Sequence, residues 1–428
     1  MFSHRLYLNS YNLRVAMNTE ASSSSLAHEV NPRVRGLFLK NLGDFQTELA
    51  RIQAGFIPGL IVWRQRKEMP ALVFRSMRRV QDLRQRVREL GVSFQEMHFS
   101  TNVAGRALLD ELCQAAKPTD LLEAGVVIIP GMLIAAIEDY LTRNDSVYDL
   151  PSVPLLEADR DELQTQLKWA RVALCELAEE TGAKPEAGFV NRIKTLCADL
   201  PVALRDHTAR VGEPVCAGRR LGTLPLADAE LPRGFRHLEF GPESLPRNAG
   251  YADRERYHAV NFLQEVQATD SCAALLFESP DMPWDFFFDL SRHMWDESRH
   301  SMFGECKLMA LGTTAAAAGL SSKAYAMRQT LAPLDRYAAL STQEADAFPG
   351  KHLGLKDAVE HNDTLSAMAW SYDIADETQH LRFGTKWIPV MIEKIREPRS
   401  YEQVKEDACN WRASVLAEFY KPAAATLR

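Results

Sequence analysis

Apolar positions recur at helical spacing from about residue 36 to 210 and again from Tyr251 to about Phe419, with few stretches that alternate as strands do. The pattern predicts an all-α chain in five parts. A disordered tail covers 1–35, a helical N-terminal domain 36–210, an irregular connector 211–250, a second helical domain 251–395, and a C-terminal helix and tail 396–428. The connector holds six Gly and five Pro in forty positions, which regular helix does not accommodate. It reads as chain lying over the surface between the two helical domains.

Punctuation divides 251–395 into four long helical segments. The first runs from Tyr251 to about Glu278, closed by Ser279-Pro280 and Pro283. The second runs from Trp284 to about Leu311. After a small, Ala-rich stretch, Pro333 suits the first turn of a third helix, which Pro349-Gly350 is expected to kink or break. Asn362-Asp363 supply an N-cap for the fourth, which continues to about Glu393. A short amphipathic helix over Tyr401–Phe419 is assigned to packing alone.

Two of these segments share a motif. Asp296-Glu297-Ser298-Arg299-His300 and Asp376-Glu377-Thr378-Gln379-His380 are both Asp-Glu-x-x-His, and both run on into Phe-Gly (Phe303-Gly304 and Phe383-Gly384). Five of nine positions agree between the copies. Three residues on a helix bring Glu and His to one face, about 60° apart, so both can reach one ion. A single copy would be unremarkable on a helix surface; two copies with shared flanks point to metal. The similar run Asp161-Glu162-Leu163-Gln164-Thr165 has Thr in place of His and is given no metal.

The other two segments each carry an inward acid. Around Glu265 the helix face holds His258, Phe262, Ala268, Thr269, Cys272 and Leu276, so a bare carboxylate there would cost several kcal/mol. On the third segment Glu344 shares its face with Tyr337, Leu340, Ala347 and Phe348, and Glu360 is the substitute should the helix break. Glu265 to Glu297 is 32 positions and Glu344 to Glu377 is 33, the arithmetic of two hairpins related by a pseudo-twofold. One turn before each motif Glu stand His293 and Asp373, read either as outer supports or added ligands, or as plain core. Tyr337 and Trp370 read as packing, with electron relay as the alternative.

Composition narrows the setting. With 428 residues, net charge −7 and seven Cys without any C-x-x-C, the chain reads as cytoplasmic, with reduced thiols and no disulfide framework or zinc knuckle. The longest apolar run, Gly125 to Ile137, is short for a bilayer and is interrupted by Pro130-Gly131, so no membrane association is expected. Residues 1–19 carry Arg5 and Arg14 and no acid; a transit peptide is the weaker reading beside a loose tail or an upstream start. Between Arg64 and Glu89 nine basic residues stand against Glu68, Asp82 and Glu89. A docking surface for an anionic partner is one reading; a solvated helix face is the other, and nucleic acid is not expected.

Two inward Glu and two Glu-x-x-His helices form the ligand set of the ferritin-like carboxylate-bridged dimetal proteins, and residues 251–395 resemble that superfamily. The duplicated Asp-Glu-x-x-His is similar to the form in bacterial multicomponent monooxygenases. The resemblance implies a four-helix bundle with Glu265, Glu297, His300, Glu344, Glu377 and His380 around two Fe ions, or a Mn/Fe pair, with O2 as co-substrate. It also implies that Asp296 orients His380 and Asp376 orients His300 across the bundle. The expected activity is O2-dependent oxidation of a small or carrier-bound organic substrate: hydroxylation, N-oxygenation, desaturation or oxidative cleavage. Electrons would come from a separate ferredoxin or flavoprotein, or from the substrate. The alternatives are a tRNA-modifying hydroxylase, an iron-storage or peroxide-scavenging protein, and a non-enzymatic interaction protein. A homodimer is compatible with all of them.

Overall fold

The computed structural model describes residues 31–93, 103–143, 147–205, 230–242, 245–246 and 248–419. Among them the fold is all-helical, and the one strand-like feature is an isolated parallel bridge between His237 and Leu320. The N-terminal part comprises α1 (Pro32–Gly55), α2 (Trp63–Glu89), α3 (Val103–Leu112), α4 (Pro118–Arg143), α5 (Val153–Thr181) and α6 (Ala187–Cys197). Helix starts a few residues before position 36 because Pro32 occupies the first turn and Asn31 caps it, accepting from the Arg33 N–H at 2.9 Å. Residues 1–30, on which the tail and transit readings fall, and most of the connector lie outside the described residues.

Pro130-Gly131 does not interrupt the apolar run: α4 continues through both. A wide, π-type stretch over Leu122–Ile128 precedes the proline, and the Ile129 N–H bonds Ala124 O, five residues back. In that register the Gly125 carbonyl faces Pro130, which has no N–H. Gln53 Nε2 on α1 takes that carbonyl at 2.9 Å. By length and composition α4 could cross a membrane, and 61% of its most apolar window is buried inside this fold.

The C-terminal part comprises α7 (Tyr251–Gln264), α8 (Val266–Glu278), α9 (Trp284–Ala310), α10 (Pro333–Glu360), α11 (Thr364–Ile395) and α12 (Tyr401–Phe419). Most boundaries fall at the predicted punctuation, including the cap of α11, where Asp363 accepts from the Ser366 N–H at 3.0 Å. Two differ. The first segment is interrupted at Glu265, whose N–H bonds Phe262 O while its own carbonyl accepts from Ala268 and Thr269. Gln264 and Gln267, on either side, are anchored to the 319–325 loop: Gln264 Oε1 accepts from the Ser321 N–H at 2.9 Å and Gln267 Oε1 from the Ala324 N–H at 2.9 Å. Conversely α10 runs unbroken through Pro349-Gly350. Pro349 removes the donor that Ala345 O would accept, and both residues are exposed, so water can serve that carbonyl.

One hydrophobic core runs from Leu39 and Phe45 on α1 to Phe277 on α8, Phe286 on α9 and Leu340 on α10. Polar contacts fix α1 and α2 against α8 and α9. Fully buried Arg51 donates to Leu276 O and Phe277 O, each at 2.9 Å, satisfying carbonyls in the last turn of α8, and Glu48 balances its charge at 2.8 Å. Arg66 pairs with buried Asp270, and Ser298, inside the first motif, donates to Lys67 O at 2.6 Å. The basic segment is largely neutralised this way. Arg64, Arg66, Lys67, Arg75, Arg79 and Arg86 all form ion pairs. Arg84 lies over the Trp284 ring, leaving Arg78 and Arg88 as the exposed members.

Candidate metal centre

Helices α9 and α11 turn their motif faces toward each other, and the helix period places the donors. His293, Glu297 and His300 line one side of α9; Asp373, Glu377 and His380 line the matching side of α11, and all six are buried. Close approach on the α9 side depends on Gly304, where a Cβ would collide with backbone atoms of Ala259 and Leu263 on α7. The matching Gly384 meets the Ser341 side chain instead.

The two imidazoles each face an aspartate across from them, and His300 alone is hydrogen-bonded to it. His300 Nε2 lies 3.3 Å from Asp376 Oδ2 and His380 Nε2 lies 3.5 Å from Asp296 Oδ2, the cross-bundle pairing that the resemblance implies. Each ring therefore presents Nδ1 inward. His300 Nδ1 is 3.4 Å from Asp373 and 3.6 Å from Glu297. His380 Nδ1 is 3.3 Å from Glu297 and 3.6 Å from Glu377. On the outer side Arg299 bridges the two aspartates, at 2.6 Å from Asp296 and 3.0 Å from Asp376, and Arg292 adds 2.7 Å to Asp296.

The remaining sequence-derived positions fall as follows. Glu344 is buried with its Oε1 2.9 Å from His293 Nε2, which also lies 3.2 Å from Glu297 Oε1. Glu360 is on the surface beside Lys356 at 3.7 Å. Two donor groups result: His293, Glu297, Glu344 and His380 offer atoms all within 4.8 Å of one another, and so do Glu297, His300 and Glu377. Glu297 belongs to both. Glu265 belongs to neither; it stands at the helix interruption and lines an adjacent cavity of about 450 Å3.

Three participants were not legible in the motifs. Lys351, buried on α10, donates to Asp373 Oδ1 and Glu377 Oε1, each at 2.8 Å. Fully buried Cys272 interacts with His293. The cavity wall takes Trp411, Val415 and Leu416 from α12 and Phe240 from the connector, so the C-terminal helix does more than pack. Lys351 lies two turns after Glu344 on the same face of α10, but the expected break at Pro349-Gly350 hid that register from the sequence. Trp370 packs against Phe262 with centroids 4.5 Å apart and the rings tilted by 49°, and it lines the same cavity.

Charge decides what this cluster can hold. Five buried or cavity-lining carboxylates (Glu265, Glu297, Glu344, Asp373, Glu377) face two cations, Lys351 and Arg328. Burial drives Glu265 well above the ordinary carboxyl range, and Glu297 adds to it. Burial also raises Glu344 and Asp373. Burial opposes ionisation of Glu377 too, but His380 and Lys351 outweigh it and hold it at about 2. Burial works against a charged His300, yet Asp373, Asp376 and Glu297 prevail and raise it to about 10. Without a cation, then, the centre gathers protons on its imidazoles and acids. Even so, Oε2 of Glu297, Glu344 and Glu377, Asp373 Oδ2, Nδ1 of His300, and both ring nitrogens of His380 have no hydrogen-bond partner. Buried polar atoms are rarely left so. Inward-facing oxygen and imidazole donors without a bond are what divalent first-row metals require, and the residues present fit such ions.

Comparison with protein-family models, with curated proteins and with solved structures returns no match. The functional reading therefore stands on the geometry.

Proposed function

We propose that the chain is a carboxylate-bridged dinuclear metal oxidoreductase that uses O2 to oxidise a small organic molecule held beside Glu265. The observation that carries this reading is Glu297: one buried carboxylate common to two donor groups, as a bridging ligand would be. In this reading α7 with α8, α9, α10 and α11 form a ferritin-like four-helix bundle in which the first member is interrupted at Glu265. His293, Glu297, Glu344 and His380 would hold one ion, and Glu297, His300 and Glu377 the other, with Glu265 or Asp373 available to it. Two irons, or a manganese–iron pair, suit these oxygen and nitrogen donors.

Such a pair, when bound, supplies electrons to O2. The protein supplies position, dryness and protons. Asp376 fixes the His300 tautomer by taking Nε2, and Asp296 stands 3.5 Å from His380 Nε2, leaving Nδ1 of both rings free for the ions. Lys351 holds Glu377 and Asp373 in place. Phe262 and Trp370 supply an apolar patch of the cavity wall, and Glu265 sits where a proton can pass between cavity and centre. Electrons come from an external donor, since the chain has no C-x-x-C.

The test is O2 uptake after anaerobic loading with ferrous iron, with a chemical reductant present. Stoichiometric uptake that disappears in Glu297→Ala supports the reading. Uptake coupled to a growing iron mineral would instead indicate storage.

A further inference from the structure

The cavity beside Glu265 contains a buried cation that forms no ion pair with the carboxylates of the centre, although Glu265, Glu344 and Glu297 act on its charge from further off. Arg328 lies in the short helix Lys323–Arg328, is 4% exposed, and lines the cavity wall. Its guanidinium has neutral partners: Nη2 donates to Gln343 Oε1 at 2.6 Å and Nη1 to Ser271 Oγ at 3.4 Å. Among the described residues no carboxylate comes within 4 Å of it, whereas buried Arg51, Arg66 and Arg336 each have one. Burying a guanidinium without an ion pair is costly, and burial outweighs the pull of those more distant acids; the planar fork matches a carboxylate with two parallel hydrogen bonds. One part of the lining is apolar and aromatic, with Phe262, Trp370, Trp411 and Met327, while Gln264, Gln267, Gln343 and Arg412 make the remainder polar. A cavity of about 450 Å3 holds on the order of fifteen waters by volume.

We propose that this cavity binds a small organic acid, its carboxylate on Arg328 and its apolar body along Phe262, Trp370 and Trp411. Glu265 and Lys351 line the same space, so the bound acid lies next to the buried donors. This names the substrate class for the oxidation proposed above and rests on that reading for its chemistry; binding itself does not depend on it.

The test is equilibrium binding to the full chain as purified, by calorimetry, of benzoate, indole-3-acetate, hexanoate and decanoate, each beside its primary amide. At least one acid binds ten-fold or more tightly than its amide, and Arg328→Gln abolishes that preference while its metal content matches wild type. The acid–amide comparison needs no variant, so it decides even if Arg328→Gln fails to fold. Absence of binding by all four acids, equal binding of acid and amide, or a preference that survives in a folded Arg328→Gln would overturn the proposal. None of these results bears on ferrous-iron uptake of O2, so the two readings fail separately.

Discussion

The rings of His293 and His380 stack face to face with centroids 3.7 Å apart, both fully buried. Two imidazolium ions at that distance repel each other, yet the surrounding acids draw both imidazoles well above their ordinary range. In the ion-free protein both rings therefore hold protons despite that repulsion, and a divalent ion would have to displace them. Metal binding should release at least about one proton per ion near neutral pH. Because protons compete, apparent affinity should weaken as pH falls from 8 to 6. Calorimetric titration in buffers of different ionisation enthalpy measures the release; a pH-independent affinity with no protons released would contradict the account.

The same linkage predicts how the ion-free protein responds to alkali. His300 is raised to about 10 in the fold against an unfolded value of about 6.5. Its contribution to stability is therefore complete below the unfolded value and is lost as pH rises through the folded one. Thermal unfolding of metal-free protein should shift to lower temperature between pH 7 and 10, and loaded protein should shift less.

A second linkage lies far from the centre. Asp159 on α5 is fully buried, burial raises it to about 7, and Gln46 Nε2 donates to both its oxygens at 3.0 and 2.8 Å. A raised folded value means stability is greatest below the unfolded value, about 3.9, and declines as pH rises through 7. The decline amounts to on the order of 4 kcal/mol. Asp159→Asn should remove this dependence, since Gln46 Oε1 lacks a partner and an amide flip gives the new side chain an acceptor. Denaturant unfolding of both proteins at pH 5 and 8 checks it; parallel pH dependence in the two would be the contrary result.

The mirrored glycines should not behave alike. At Gly304 a Cβ meets backbone of Ala259 and Leu263, which cannot move without separating α7 from α9; at Gly384 it meets a single serine side chain. Gly304→Ala should cost about 3 kcal/mol or more and Gly384→Ala distinctly less. Equal losses in denaturant unfolding would show that the two motif helices are packed more symmetrically than described.

Local chemistry made the helices readable. Pro333 at a helix start, Asp363 at a cap and Ser279-Pro280 at an end each act within a few residues of where they stand, and the structure puts boundaries there. The motif positions were readable for the same reason: Glu297 and His300 share a face by helix period alone. Contacts between distant parts of the chain were not. Nothing near Lys351 announces that it meets Asp373, and nothing near Arg328 announces that it faces a cavity walled by α12. The continuity of α4 through Pro130 depends on Gln53, 72 positions earlier than the Gly125 carbonyl it serves. The interruption at Glu265 likewise accompanies bonds from Gln264 and Gln267 to a loop more than fifty residues away.

The most direct test of the metal centre is elemental analysis of anaerobically purified protein, with Glu297→Ala and His380→Ala alongside. Wild type should carry close to two first-row metal ions per chain, and both variants should lose most of them while keeping their helical circular dichroism. A wild-type chain that purifies, and remains after ferrous loading and desalting, with less than about a tenth of an ion would contradict the account.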